Sequence, residues 1–249
     1  MDSPVTMLLL LCVAVMALGA GTGALGLGIA VVAAPALSLL FHHDMMMVVP
    51  LSLALNAATC VAATAAFAPR HLVAWRHALG LGAIAAVFAP IGAAASRSVP
   101  EYVTWYVYLG AVLFLVGHLL RPPRENALPA VNWAVLFLTA VPAGLVGGFV
   151  GIGPGFALVP MLVVAGMDVR HAAGTAALVG ILPSLTALIP ISSAESWNSA
   201  FTLSLTVAAV IGTVVGASYA SHRGVALRWQ RAFAGFVAVF ALIYFFTIH

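Results

Sequence analysis

The chain has no lysine: all nine of its basic residues are arginine. That absence excludes a pigment that holds retinal as a Schiff base on a membrane lysine. Charge of either sign is scarce, at 6% of 249 residues, where a soluble domain carries roughly a quarter. With 64% of residues hydrophobic, water cannot be the main solvent. Cysteine is nearly absent too. Cys12 and Cys60 both lie inside apolar runs, so they read as small packing residues rather than a disulfide or a metal pair. The segments between apolar runs are too short for a soluble domain, and function is expected within the bilayer. The formal charge of +3 is what short cytoplasmic loops supply, and it does not point to nucleic acid as a partner.

What is present is a series of apolar runs, each near the roughly 20 residues that a helix needs to cross a hydrocarbon core. Examples are Met45 to Phe67, His77 to Ala95, Tyr102 to Leu120, Ala172 to Pro190 and Phe201 to Ala220. Helices rather than barrel strands fit runs of this kind. Leu8 to Leu11, with small residues around Ala17 to Ala20, superficially resembles a cleaved leader, but Met1-Asp2-Ser3 lacks the positive charge that a leader carries. The expected fold is therefore an all-α integral membrane protein, with the lipid bilayer as its first partner.

The glycines reveal a repeat. Gly19-Ala-Gly-Thr-Gly23-Ala-Leu-Gly26-Leu-Gly28 returns 125 residues later as Gly144-Leu-Val-Gly-Gly148-Phe-Val-Gly151-Ile-Gly153. Pro35 meets Pro160 and Leu37 meets Leu162 at the same offset, and after a one-residue slip Asp44 meets Asp168. Two membrane repeats are expected, 1–125 and 126–249, with the seam near Arg121 to Asn132. Glycine costs roughly 1 kcal/mol relative to alanine inside a helix, and Pro154 further removes a backbone donor. A helix should break at each glycine cluster. The segments that follow, Ile29 to Phe41 and Gly155 to Gly166, are too short to span. Val5 to Phe41 and Val131 to Gly166 thus read as glycine-broken or re-entrant helical hairpins, each followed by three transmembrane helices.

Loop charge sets the orientation. Arg70 with Arg76, Arg121 with Arg124, and Arg223 with Arg228 and Arg231 mark three cytoplasmic loops, while the loop around Glu195 has no positive residue. These agree only if each hairpin returns to its own side, leaving three crossings per repeat. An odd number inverts the second repeat and puts both termini in the periplasm.

Inverted repeats with paired glycine breaks point to a secondary transporter whose site lies at the repeat interface. A helix that begins inside the membrane presents free N–H groups and roughly half a positive charge to whatever lies before it, which suits an oxyanion. All six carboxylates sit at segment ends or loops, so a cation site is not expected. The candidate substrate-binding residues are Gly26, Gly28, Gly151, Gly153, Pro154 and Gly155 at the breaks. Ser52, Asn56, Thr59, Thr175 and Ser184 follow them as neutral polar groups. No catalytic residue, metal or cofactor is expected. Asp44 and Asp168 read as helix caps; Arg170 and His171 as groups for topology, lipid headgroups or the attraction of anions at a vestibule; and His118 as a group that meets the interface or a backbone carbonyl, with a proton relay as the alternative. A membrane-embedded enzyme is the rival reading, but the densest polar group, His42-His43-Asp44, has no partner cluster elsewhere. The oligomeric state is open, with a homodimer as one arrangement.

The second glycine window, Gly144 to Pro160 followed by Met167-Asp-Val-Arg-His-Ala-Ala-Gly-Thr175, resembles the glycine-rich stretch of the TauE/SafE family of sulfite and organosulfonate exporters. The first, Gly19 to Pro35, is a looser match. Pro154 stands where that family has a glycine, and Ile29 and Ala30 stand where further glycines are usual. The resemblance implies export of sulfite, sulfoacetate or related anions across the inner membrane; import of the same anions is the alternative.

Overall fold

The computed structural model describes residues 4–41, 45–120, 133–191, 199–222, 232–233, 235–237 and 239. The chain forms helices α1 (Pro4–Leu25), α2 (Ala30–Phe41), α3 (Met45–Phe67), α4 (Trp75–Ser96), α5 (Glu101–Leu119), α6 (Trp133–Val150), α7 (Gly155–Val164), α8 (Val169–Leu188) and α9 (Ser199–Ala220), with a single 3-10 turn at Ala68–Arg70. Among the described residues there is no strand. The apolar runs read from the sequence are these helices, and α3 has the expected bounds. The seam at Arg121 to Asn132 lies outside the described residues, as do Asp44, the His42-His43-Asp44 group, Glu195 and the arginines at 121, 124, 223, 228 and 231.

Among the described residues, seven helices are long and apolar enough to cross a membrane: α1, α3, α4, α5, α6, α8 and α9. The two that are not, α2 with 12 residues and α7 with 10, reach only about 18 and 15 Å at 1.5 Å per residue. Both breaks fall where the glycines predict. Large apolar side chains such as Leu113, Leu138 and Ile189 stand two-thirds or more exposed on outward faces, the surface that lipid would cover.

The sense of each helix follows from its contacts. Asn56 of α3 touches Ser184 of α8, Cys60 faces Gly180, and Phe67 lies against Gly174. The numbers rise along one helix and fall along the other, so α3 and α8 are antiparallel. α4 runs parallel to α8, with Ala74 beside Thr175, Gly82 beside Val179 and Ala86 beside Thr186. α1 runs parallel to α9, and α6 to α4. α2 packs antiparallel on α3, with Ala30 at Asn56 and Ile29 at Thr59.

Close contacts occur in pairs that exchange under the repeat offset. A Cβ on Gly19 would lie 2.6 Å from the Ala209 carbonyl, and one on Gly144 2.6 Å from the Ala85 carbonyl. Gly216 abuts the carbonyl of Ala20, and Gly92 that of Leu145. In each pair the first-half glycine and second-half partner become second-half glycine and first-half partner. Small residues let these backbones touch, the usual basis of helix packing in lipid.

Prolines interrupt several helices without leaving every carbonyl bare. Pro35 cannot donate to the carbonyl of Val31, four residues earlier, and the buried Tyr108 hydroxyl of α5 donates to it instead, at 2.9 Å. Pro90 similarly frees the carbonyl of Ala86, which accepts from Thr186 Oγ1 of α8 at 2.8 Å.

Candidate functional site

The two breaks come together beside the middle of α3. Gly26 and Gly28 have φ of 66° and 74°, and Gly151 and Gly153 have 78° and 72°. These are left-handed conformations that side chains resist. Space is also denied: a Cβ on Gly28 would overlap the Asn56 amide, and one on Gly153 would sit 2.6 Å from Asn56 Nδ2 and 3.5 Å from Ser184 Oγ. Both breaks therefore press on one asparagine. They touch each other as well, because a Cβ on Gly155 would lie 2.7 Å from the Leu27 carbonyl. Gly26 rests on the backbone of Ala173 near the start of α8, and Gly151 on Val49 near the start of α3. As α3 and α8 are antiparallel, the two breaks are offset along the bundle, Gly26 toward the end where α8 starts and Gly151 toward the end where α3 starts.

Asn56 is 1% exposed and every polar atom on it is used, as burial requires. Its Oδ1 accepts from the amide of Ala30 at 3.1 Å, and its Nδ2 donates to Ser184 Oγ at 2.8 Å and lies 3.8 Å from Cys60 Sγ. The amide orientation is the one this network demands. Thr59 Oγ1 accepts from the amide of Ile29 at 3.3 Å while donating back to its own helix at the carbonyl of Leu55. Ser52 Oγ lies 3.0 Å from the Val49 carbonyl and 3.3 Å from that of Gly151 in the second break. Ser184 donates to the Gly180 carbonyl.

Of the residues singled out in the sequence, Gly28, Ser52, Asn56, Thr59, Gly151, Gly153, Pro154, Gly155 and Ser184 gather at this junction, and Pro154 is the residue before α7 begins. Gly26 faces the α8 backbone instead of Asn56. Thr175 joins no bond of the junction: its hydroxyl accepts from the amide of Ala74, at the start of α4. Tyr108 was not singled out, although Pro35 announces a carbonyl in need of a donor; the sequence does not say which helix supplies it.

Asp168 precedes α8 as expected, but its carboxylate makes no cap bond. It pairs with Arg170 Nε at 3.1 Å and lies 3.6 Å from His171 Nδ1, because the neighbouring guanidinium and imidazole compete with the amides. Arg170 also donates to the carbonyl of Ser221 at 3.2 Å. Arg70, Arg76 and Arg170 thus stand at one end of the bundle and Arg97 at the other. His118 Nδ1 lies 2.9 Å from the carbonyl of Phe114 in its own helix.

Among the described residues, seven helices of spanning length, with two chain breaks meeting among them, define the fold of a multi-pass membrane protein. The chain belongs to the TauE/SafE family: the model described as "Sulfite exporter TauE/SafE" matches residues 10–244. No curated protein and no solved structure matches it.

Proposed function

We propose that the protein is a secondary transporter that exports small sulfur-containing anions, of the sulfite, sulfoacetate and organosulfonate class, across the cytoplasmic membrane, with the anion held between the two breaks. The observation that carries this reading is the junction itself. Two helices, α2 and α7, begin beside one buried asparagine inside the bundle, so their positive ends point into a shared, water-poor region. Neutral hydroxyl and amide groups surround it, the chemistry that replaces the hydration shell of an oxyanion without adding a competing carboxylate.

The two halves are inverted repeats in this reading. Support comes from α3 and α8, which occupy equivalent places 124 residues apart and run in opposite senses. The end bearing Arg70, Arg76 and Arg170 is cytoplasmic under the positive-inside tendency, so the first hairpin opens to the periplasm, the second opens to the cytoplasm, and both termini are periplasmic. A site flanked by hairpins open to opposite sides suits alternating access.

The test is Gly153→Leu. Positive φ and the 2.6 Å approach to Asn56 Nδ2 leave no place for the side chain except the junction. Sulfite and sulfoacetate efflux from loaded proteoliposomes should fall at least tenfold while insertion and monodispersity stay as in the wild type. Normal efflux in a well-inserted Gly153→Leu protein would rule the junction out. A panel adding sulfate and carboxylates assigns the substrate class.

A further inference from the structure

The two breaks are built alike in backbone but not in hydrogen bonding. At the first, the amides of Ile29 and Ala30, which open α2, are both taken by side chains of α3: Thr59 Oγ1 at 3.3 Å and Asn56 Oδ1 at 3.1 Å. The carbonyl of Val31, freed by Pro35, is taken by Tyr108 of α5 at 2.9 Å. Three side chains from two neighbouring helices therefore hold the first turn of α2.

At the second break the corresponding places hold residues that cannot do this. Counted on by 124, Asn56 falls on Gly180 and Thr59 on Pro183, neither with a side-chain acceptor. Counted on by 125, Val31 falls on Phe156, which Pro160 deprives of its fourth-residue donor just as Pro35 does Val31, and Tyr108 falls on the buried Phe233, which has no hydroxyl. Among the described residues no side chain caps α7: Pro154, the counterpart of Ile29, has no N–H, and the amide of Gly155, the counterpart of Ala30, makes no hydrogen bond, while that of Phe156 is unbonded like that of its own counterpart Val31. Gly155 is buried, so its amide is poorly placed to bond water, and such a group weakens local stability.

We infer that Asn56, Thr59 and Tyr108 are positioning residues that clamp α2 as the fixed half of the machinery, and that the unclamped α7 is the half that moves during transport. This rests on the reading of the two breaks as the transport site, and it assigns them different work. Opening α2 breaks three side-chain bonds between helices, whereas among the described residues opening the first turn of α7 breaks none, so thermal fluctuation is concentrated on the second hairpin.

Amide hydrogen exchange on the full-length protein in lipid nanodiscs, without substrate, tests the inference directly. Peptides covering residues 26–33 should exchange at least tenfold more slowly than those covering residues 151–158. Thr59→Val and Tyr108→Phe should each speed exchange of the first peptide and leave the second unchanged. Adding Pro35→Ala to Tyr108→Phe should slow it again, since alanine returns the N–H that Val31 lacks; a merely space-filling role for Tyr108 would show no such rescue. Equal protection of the two peptides in the wild type, or α2 exchange that ignores both substitutions, overturns the inference. Exchange is read without transport, so a failure of the junction as substrate site, seen with Gly153→Leu, is distinguishable from a failure of the clamp.

Discussion

Asn56 shows how much one side chain can be asked to do in an apolar interior. It accepts from α2, donates to α8 and blocks both Gly28 and Gly153 from carrying a side chain. Removing one of its partners leaves a buried donor. Ser184→Ala should therefore lower stability by about 1 kcal/mol, or about 2–4 °C in Tm for a chain of this size, measured by thermal unfolding in detergent. An unchanged Tm would mean that Cys60 Sγ or another group replaces the hydroxyl. Most of this neighbourhood was legible in the sequence, because polar residues in hydrocarbon are few and closely spaced glycines mark the two breaks. Thr175 was misleading for the same reason that it was noticed. A hydroxyl in an apolar run must find a partner, and the spacing of residues does not reveal that its partner is a helix start on α4 and not the junction.

Helices were the most readable elements, since hydrophobic length alone fixes them, and the break positions followed from glycine and proline. The bonds that repair proline gaps were not readable, because they join helices whose adjacency depends on the whole fold. The clearest case for testing is α4. Thr186→Val removes the donor to the Ala86 carbonyl and should lower stability by about 1 kcal/mol. In a Pro90→Ala background, where the helix supplies its own N–H to that carbonyl, the same substitution should have less than half that effect. A double-mutant cycle on unfolding in mixed micelles measures the difference, and two effects of equal size would refute the repair.

At the scale of the whole molecule, Arg70, Arg76 and Arg170 share an end from which Arg97 is remote, and the positive-inside tendency predicts that this end is cytoplasmic. Labelling decides it. In a Cys12→Ala background, Ser98→Cys should react with a membrane-impermeant maleimide added to intact cells, and His71→Cys only after the cells are opened; the reverse pattern would invert the topology. The glycine faces carry a separate consequence for biogenesis. Gly19 and Gly23 of α1 are matched by Ala209 and Thr213 of α9, and the Thr213 hydroxyl reaches the Gly19 carbonyl across 194 residues of sequence. During synthesis α1 has no such mate until α9 has left the ribosome. Nascent chains truncated before α9 should consequently be degraded by membrane proteases, however well their earlier segments have inserted.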